Sequence, residues 1–296
     1  MNTACSGPRV VGLGEILWDM LPGGKQLGGA PANFAYHAEA LGAQAFAASC
    51  VGSDGLGAEI RRRLHNLGMS DRYVAADSAH PTGTVDVALD SQGVPTFTIR
   101  ENVAWDFIPF TAELAELAGR ADAVCFGSLA QRAAGSRQAI RRFLGAVRRG
   151  CLRIFDINLR QSWYSRQIVH ESLELCDVLK LNDSELPVVA QLLRLPEQEE
   201  STVRELMSRY RLHVVALTRG GNGSRLYVGG ELSDHPGCPT RVLDTVGAGD
   251  AFTAALAMGL LRGDAPARIN ERANRLASYV CSQAGATPQI PGNVIE

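Results

Sequence analysis

Short, continuous apolar runs alternate with amphipathic stretches through the second half of this chain. The apolar runs are typical of buried strands, and the stretches between them, whose apolar positions recur every three or four residues, are typical of helices. The predicted strands cover residues 121–127, 152–158, 177–182 and 212–218. The predicted helices cover residues 136–149, 166–176, 183–193 and 199–210. Continuously apolar strands joined by helices indicate a parallel sheet that is covered on both faces.

The first half of the chain begins with the same rhythm and then departs from it. The pattern predicts strands at 9–14 and near 45–51, and helices within 27–42 and at 58–67. Residues 84–90 and 94–100 instead alternate between apolar and polar positions around a turn at 91–93. A period of two on both sides of a short turn predicts an antiparallel hairpin. We interpret it as a small sheet that stands off the main domain and covers a site or pairs with a second copy.

Composition disfavours several functional classes. The 296 residues are 46% hydrophobic and carry a formal net charge of -2, so electrostatics favour neither nucleic acid nor an anionic membrane as a partner. The longest strongly apolar run, residues 251–261, is too short to span a bilayer, and the N-terminus lacks the layout of a secretory signal. Seven scattered cysteines without a C-x-x-C pair are typical of reduced core thiols, which favours a cytoplasmic protein. The histidine spacing disfavours a zinc site.

Near the carboxyl terminus, three small residues precede a lone acid and an apolar, helix-compatible run. The small residues are Gly247, Ala248 and Gly249, and the acid is Asp250. Small residues let the backbone approach a ligand closely, and the free N–H groups and dipole of a helix start favour an anion. A carboxylate that accepts a hydroxyl proton beside a bound phosphate would form a phosphoryl-transfer centre. The alternative is that Asp250 only caps the helix.

Polar residues at the predicted strand ends are further candidates, because ligands bind outside the carboxyl ends of the strands in parallel sheets. These residues are Asp19, Asp156, Asn158, Arg160, Asn182, Glu185, Thr218, Asp244 and Asp250. The N-x-x-E pair of Asn182 and Glu185 fits either Mg²⁺-bound water or a capping box. Taken alone, Asp19 is typical of a turn and Asn33 of a hydrogen bonder at a helix start. The glycine-rich turn at 218–224 fits either a nucleotide contact or a plain connection.

Two common nucleotide-binding motifs do not match this sequence. It contains no G-x-x-x-x-G-K-[ST] segment, so any ATP would be bound without the usual lysine loop. The G-L-G at 12–14 lacks the third glycine of a dinucleotide fingerprint, because Leu17 stands at that position. The second mismatch disfavours a nucleotide-dependent oxidoreductase.

Six segments together resemble the ribokinase-like sugar kinases, also called the PfkB carbohydrate kinases. The segments are GGAPANFA at 28–35, VGSDGLG at 51–57, FDINLR at 155–160, LNDSE at 181–185, TRGGNGS at 218–224 and DTVGAGDAFTAA at 244–255. The resemblance covers nearly the whole chain, and the last segment is its most specific part. It implies a three-layer α/β/α fold with a mainly parallel central sheet and a small antiparallel β lid. Residues 1–296 would form one kinase domain, with the lid at about 15–30 and 73–108.

The resemblance also implies a role for each matching residue. Asp250 would be the catalytic base, and the backbone of Gly247, Ala248 and Gly249 would form the anion hole. The implied sugar contacts are Asp19, Gly28, Gly29, Asn33, Arg100 and Arg160. The implied ATP contacts are Asn182, Thr218, Gly220, Gly223, Gly249 and Asn274. Asn182 and Glu185 would organise Mg²⁺ through water, and Asp244 would help to bind a monovalent cation such as K⁺.

Two departures from the family pattern accompany these matches. Gln289 stands where a small hydroxyl residue is expected near the cation, which puts the cation in doubt. Ile157 replaces the usual proline of D-P-N, which we expect to leave the chemistry unchanged.

The segments before and within the first signature are most similar to the fructokinase branch, which converts D-fructose to D-fructose 6-phosphate. Kinases of 2-keto-3-deoxygluconate, ribose or nucleosides remain alternatives within the family. Arg100 and Arg160 could clamp the carboxylate of a keto acid. A non-catalytic sugar or nucleotide sensor is the alternative from another class, and it would need a broken base or anion hole. The expected ligands are a sugar and ATP, and the alternating hairpin predicts a homodimer.

Overall fold

The computed structural model describes residues 7–21, 23–89 and 95–295, and in them nine strands form one large sheet. In chain order the strands are β1 Arg9–Leu13, β2 Leu17–Leu21, β3 Gly24–Gly28, β4 Gln44–Gly52, β5 Val74–Asp77, β6 Thr84–Leu89, β7 Pro95–Ile99, β8 Ala123–Phe126, β9 Leu152–Asp156, β10 Val178–Asn182, β11 Val214–Thr218, β12 Ser224–Val228 and β13 Glu231–His235. The helices are α1 Ala30–Ala40, α2 Gly55–Asn66, α3 Ala112–Ala118, α4 Ala134–Ala146, α5 Arg166–Leu175, α6 Glu185–Leu193, α7 Glu199–Tyr210, α8 Ala248–Arg262, α9 Pro266–Cys281 and α10 Gly292–Ile295.

The large sheet has the order β13-β12-β11-β10-β9-β8-β1-β4-β5. Its strands pair in parallel from β5 to β11, and β12 and β13 complete one edge in antiparallel pairs. The chain proceeds outward in one direction from β1 to β4 and in the other direction from β8. The connections therefore diverge between β1 and β8, which opens a crevice at the carboxyl ends of these strands.

Two separate apolar cores cover the two faces of this sheet. One core contains Leu114 of α3, Ile140 of α4 and Val203 of α7, and the other contains Phe34 of α1 and Leu256 of α8. Neighbouring residues of a strand point to opposite faces, so each central strand contributes to both cores. This three-layer arrangement confirms the fold class expected from the alternation of strands and helices.

A second, four-stranded sheet has the order β3-β2-β6-β7 and is called the lid here. The β6–β7 pair is antiparallel, as the hairpin pattern predicted. The β2–β3 pair is also antiparallel, and a parallel β2–β6 pair joins the two pairs. The predicted hairpin turn at 91–93 lies outside the described residues. β5 falls within the region expected to form the lid, yet it pairs with β4 at the edge of the large sheet.

The position of Asp19 corrects one local prediction. The sequence suggested a loop, but Asp19 lies within β2, opposite Gln26 of β3 and Val85 of β6. The two partner strands supply hydrogen bonds that the local pattern does not reveal.

The helix boundaries follow the predicted ones within a few residues, and α7 matches its prediction at both ends. α2 begins at Gly55, three residues before its predicted start, because the carboxylate of Asp54 accepts a hydrogen bond from the Gly57 N–H at 2.8 Å. Among the described residues, none of the helices combines the length and apolarity required to cross a membrane.

Candidate active site

Asp250 lies in the first turn of α8, after a glycine with a left-handed backbone. Gly247 has φ of +79°, and a Cβ added there would lie within 2.8 Å of Ala286. Both observations require glycine at this position. The N–H groups of Gly249 and Asp250 follow at the helix start, where no preceding helical turn supplies an acceptor, and the Ala248 N–H makes only a long hydrogen bond of 3.4 Å to the Thr245 carbonyl. This arrangement can accept an anion.

Asn33 connects the first turn of α1 to Asp250. Its side-chain N–H donates to Oδ2 of Asp250 at 2.8 Å, and the Asn33 side chain is buried. α1 begins directly after Gly29, whose φ is +112° and where an added Cβ would lie 2.9 Å from Cα of Ile16. The close packing of Gly29 against the chain after β1 brings the starts of α1 and α8 together.

Three carboxyl groups share the charge of Arg160 in this crevice. Burial raises the pKa of Asp19 to about 6, and the Arg160 charge opposes that rise. Burial raises the pKa of Glu15 to about 7, with the nearby Asp250 charge adding to the rise and Arg160 again opposing it. Oε2 of Glu15 has no hydrogen-bond partner among the described residues, although the residue is only 3% exposed. The charge of the exposed Arg160 therefore acts on carboxyl groups of the lid, of the segment after β1 and of α8.

The pKa of Asp250 is raised to about 6 by burial and by the negative charge of Asp156. The hydrogen bond from Asn33 and the charges of Lys180 and Arg160 act in the opposite direction. A carboxylate with this pKa is ionised at neutral pH, yet it is a stronger base than an exposed aspartate. The site thus contains a carboxylate suited to accept a proton beside an anion hole.

A buried ion pair lies directly behind the start of α8. Nζ of Lys180 donates to Oδ1 of Asp156 at 3.0 Å, and the hydroxyl of Thr253 donates to Oδ2 at 2.7 Å. Lys180 and Asp156 face each other in the register of β10 and β9. A Cβ added at Gly249 would lie 3.1 Å from Nζ of Lys180. The ammonium group therefore occupies the space beside the anion hole that a side chain at position 249 would fill.

Asn182 and Glu185 form reciprocal hydrogen bonds at the end of β10. Oε2 of Glu185 accepts from the Asn182 N–H at 2.8 Å, and Oδ1 of Asn182 accepts from the Glu185 N–H at 2.9 Å. Oε1 of Glu185 also accepts from the Leu159 N–H at 2.9 Å. This is the capping geometry that the spacing allowed. The side chains also lie beside Thr218, the register partner of Asn182 in β11.

The other proposed nucleotide residues differ in their surroundings. Thr218 is the last residue of β11, and Gly220 and Gly223 lie in the turn that follows it. A Cβ added at Gly223 would collide with the carbonyl of His235. Asn274 is buried in α9, and its amide group donates to the Ser224 hydroxyl at 2.7 Å. The amide nitrogen of Asn274 is therefore engaged in packing α9 against β12.

Asp244 connects two loops near the start of α8. Its Oδ2 accepts from the Gly285 N–H at 2.9 Å, and its Oδ1 accepts from the Val246 N–H at 3.0 Å. Gln289 lies in the same C-terminal segment, and its carbonyl accepts from the Tyr279 hydroxyl at 2.8 Å. This loop pair is the place where the sequence suggested a monovalent cation.

The structure does not bring Arg100 into the group around Asp250. The Arg100 side chain is 62% exposed, and its Nε donates to Asp86 on the lid at 2.9 Å. Gly28 does adjoin Asp19, since a Cβ added at Gly28 would collide with the Asp19 carboxylate. Asp19, Gly28, Gly29, Asn33 and Arg160 thus surround the crevice, whereas Arg100 lies outside it.

Comparison with known proteins identifies the family of this chain. The sequence model of the pfkB family carbohydrate kinases matches residues 23–293. The chain belongs to the PfkB family of carbohydrate kinases. A fructokinase from Klebsiella pneumoniae is 32% identical over 288 residues, which cover 93% of this chain and 92% of that relative. A fructokinase from Escherichia coli is 30% identical over 296 residues, which cover 94% and 95%.

Solved structures show the same fold. Fructokinase with bound ATP from Xylella fastidiosa superposes with a TM-score of 0.84 at 21% identity, over 96% of this chain and 95% of that one. A fructokinase double mutant from Vibrio cholerae, bound to fructose, ADP and potassium ion, gives a TM-score of 0.83 at 23% identity, over 98% and 97%. The ribokinase-like architecture of this PfkB kinase is therefore confirmed.

Sequence reasoning missed two charged residues of this PfkB site. Glu15 follows the G-L-G segment at the end of β1, and Lys180 is the one charged residue within the apolar run VLKLN of β10. A charge inside an otherwise continuous buried strand was the available signal for Lys180, because such a charge requires a partner. Asp156 was recognised as a polar strand end, but its partner Lys180 became evident only from the register of the sheet.

Proposed function

We propose that this carbohydrate kinase transfers the γ-phosphate of ATP to D-fructose and forms D-fructose 6-phosphate. The observation that carries the proposal is the joining of Asp250 to Asn33 at a helix start, next to Asp19 and Arg160. The curated fructokinase relatives at about 30% identity support the choice of sugar.

In the proposed mechanism, Asp250 accepts the proton of the primary hydroxyl while that oxygen attacks the γ-phosphorus of ATP. Asn33 holds one carboxylate oxygen of Asp250 at 2.8 Å, which orients the other for the substrate. The N–H groups of Gly247 to Asp250 would stabilise the negative charge of the transferring phosphoryl group. Asp19 would hold sugar hydroxyls from the lid side, so that the reacting hydroxyl is aligned with the base.

The charge balance of the crevice favours a neutral sugar over a sugar acid. The charge of Arg160 lowers the pKa of Asp19, Glu15 and Asp250, so one positive charge acts on three carboxyl groups. Arg100, the second cation that a keto-acid clamp would need, is exposed and paired with Asp86. A carboxylate substrate would therefore meet net negative charge. Fructose has no such group.

The proposed metal is Mg²⁺ that is carried with the nucleotide. The described residues contain no group of three or more His, Cys, Asp or Glu side chains that could hold a metal ion. Mg²⁺ keeps much of its water and binds through one or two protein carboxylates and substrate phosphates, a demand that Asn182 and Glu185 can meet through water. Bound Mg²⁺ would neutralise charge on the phosphates. K⁺ beside Asp244 is proposed as a further cation.

The buried cysteines and the edge of the lid sheet support proposals about the cellular compartment and the oligomeric state. Cys50, Cys125, Cys151 and Cys176 are buried free thiols, which supports function in a reducing, cytoplasmic compartment. The edge strand β7 of the lid supports a homodimer that forms through the β6–β7 hairpin.

A coupled assay of ADP release across fructose, 2-keto-3-deoxygluconate, ribose and nucleosides tests the proposal. We expect the highest kcat/KM with fructose. A higher kcat/KM for the keto acid would overturn the fructose assignment, and tight sugar binding without ADP release from any sugar would point to a sensor.

A further inference from the structure

The mechanism above gives no role to the ion pair behind the anion hole. Lys180 and Asp156 are only 6% and 4% exposed, respectively, and they lie where β10 and β9 meet the start of α8. Burying two charges costs free energy that apolar residues would not require. Elsewhere in these strands the corresponding inward positions are filled by apolar side chains such as Val178 and Ile154. The pair therefore calls for a role beyond packing.

We propose that Lys180 is a positioning residue of the phosphoryl-transfer site, which keeps Asp250 ionised and, through Asp156 and Thr253, fixes the first turn of α8. The inference rests on the proposed function, because it assumes that Asp250 is the base. It extends that function to a residue that makes no contact with the sugar.

A chain of hydrogen bonds connects Lys180 to the first turn of α8. Asp156 accepts from Nζ of Lys180 at 3.0 Å and from the Thr253 hydroxyl at 2.7 Å. The carbonyl of Gly249 lies 2.9 Å from the same hydroxyl oxygen, so the two acceptors share its single proton. Thr253 thus ties the carbonyl of the anion-hole glycine to a carboxylate that Lys180 holds on the sheet. A shift of this turn by about 1 Å would misalign the base and the N–H groups, which costs roughly 10²-fold in rate.

The charged groups around Asp250 determine how readily it ionises. Asp156 at the end of β9 is negative, while Lys180 of β10 and Arg160 after β9 are positive. Glu15 after β1, whose pKa is raised to about 7, is largely protonated at the pH where Asp250 titrates. Asn33 of α1 adds a neutral hydrogen-bond donor. Because Asp156 disfavours the ionised base, Lys180 compensates for a carboxylate that the turn needs as its anchor. Removing the cation alone or the anion alone should therefore shift the ionisation of Asp250 in opposite directions.

The test compares the acidic limb of the pH profile of kcat/KM in four proteins at saturating Mg²⁺. These are the wild type, Lys180→Met, Asp156→Asn and the double variant. Lys180→Met should move the limb to higher pH by about one unit, because an opposing cation is lost. Asp156→Asn should move it to lower pH, and the double variant, which leaves no unpaired buried charge, should return it close to the wild-type position.

Thr253→Val tests the positioning of the first turn of α8 separately from the ionisation of Asp250. It removes the hydroxyl that links Gly249 to Asp156 but changes no charge, so kcat should fall while the acidic limb stays in place. Shifts in the same direction for Lys180→Met and Asp156→Asn, or an unmoved limb in both, would overturn the inference. If Lys180→Met fails to fold, the limb of the double variant and that of Asp156→Asn still decide it.

Asp250→Asn shows whether a negative result rejects only the role of Lys180 or also the proposed function. Normal turnover in a folded Asp250→Asn protein would reject Asp250 as the base, and the inference would fall with it. Lost turnover in Asp250→Asn together with an unmoved limb in the charge variants would reject the inference alone.

Discussion

At the scale of single residues, the proposed reaction and the stability of the fold favour opposite protonation states of the carboxyl groups in the crevice. Asp250, Asp19 and Glu15 are carboxyl groups whose pKa values burial raises to about 6, about 6 and about 7, respectively. The proposed reaction needs Asp250 ionised, so activity should fall as the pH falls through about 6. The fold, in contrast, favours the protonated forms, because a buried carboxylate without full hydrogen bonding is costly.

Asp250→Asn should lower kcat by roughly 10²–10⁴-fold, the usual contribution of a general base. Binding of fructose and ATP should change little, because asparagine keeps the size and most of the hydrogen bonding of the side chain. Single-turnover kinetics and calorimetric binding measure the two effects separately. Asp264→Asn, at the other end of α8, is the matched control and should retain activity. Comparable kcat values for both variants would refute the role of Asp250.

Glu15→Gln should stabilise the protein at alkaline pH and make its stability less dependent on pH. The folded-state pKa of Glu15, about 7, lies above its ordinary value of 4.5, so the folded protein binds this proton more tightly than the unfolded chain does. The wild type should therefore gain stability from this group as the pH falls from about 8 to about 5. The difference from Glu15→Gln should be roughly 3 kcal/mol at pH 8 and small at pH 5. Urea unfolding at several pH values measures it, and parallel curves for the two proteins would contradict the prediction.

At the scale of elements, the ends of helices determine the site. α8 starts and ends at glycines with left-handed backbones, Gly247 with φ of +79° and Gly263 with φ of +70°. The two differ in their surroundings, since Ala286 crowds Gly247, whereas an added Cβ at Gly263 meets nothing within 4 Å. At the start of α6, the carboxylate of Glu185 accepts hydrogen bonds from the end of β10 and from the loop after β9. Helix starts therefore carry both the proposed anion hole and the proposed metal residues.

Gly247→Ala and Gly263→Ala should separate backbone strain from the function of the helix start. Each should lower the free energy of unfolding by roughly 1–2 kcal/mol, because alanine is strained at these φ values. Only Gly247→Ala should also lower kcat, by at least about tenfold, since its Cβ displaces the anion hole against Ala286. Urea unfolding and steady-state kinetics of the two variants provide the comparison. Equal kcat values would show that the start of α8 tolerates the displacement.

Glu185→Ala should lower stability and raise the Mg²⁺ requirement. Two backbone N–H groups lose a charged acceptor, which costs roughly 2 kcal/mol or more. The proposed contact with metal-bound water predicts that the Mg²⁺ concentration for half-maximal rate rises more than the KM for sugar. A lower Tm with an unchanged Mg²⁺ titration would assign Glu185 to capping alone.

At the scale of the whole molecule, the lid is fixed to the main domain at specific points. Nε1 of Trp18 in β2 donates to the carbonyl of Leu56 at 3.1 Å, and Lys25 of β3 forms an ion pair with Glu59 of α2. Leu17 and Val85 are buried in the core beneath the lid. Asp19 therefore reaches the crevice from a sheet that is packed against the domain it covers.

We expect a homodimer that forms through β6 and β7, and Thr98→Lys should convert it to a monomer. Thr98 is exposed on the edge strand β7, where an added charge opposes pairing with a second copy. Gln26→Lys on the opposite edge strand β3 is the matched control and should leave the dimer intact. Light scattering at micromolar concentration measures the mass, and a monomeric wild type would contradict the proposed assembly.

Local pattern was sufficient to predict most elements and part of the site. The strands and helices between residues 121 and 218 followed from periodicity, because a buried strand and an amphipathic helix each impose a repeat on their own residues. The hairpin followed from its period of two, and the Gly247–Asp250 segment from the chemistry that a glycine-rich helix start permits. These features are encoded within stretches of about ten residues, so the sequence by itself determined them.

Only the tertiary structure decided which charges meet. β2 and β3 are short strands that exist through pairing with each other and with β6, so the place of Asp19 could not be read locally. Arg100 and Arg160 looked equivalent in the sequence, yet Arg100 pairs with Asp86 on the lid, whereas the charge of Arg160 lowers the pKa of Asp250. Lys180 and Asp156 are 24 residues apart in the sequence, and their pairing depends on the register of β10 with β9. Burial and charge pairing arise between distant segments, which is why the fold rather than the local sequence determined them.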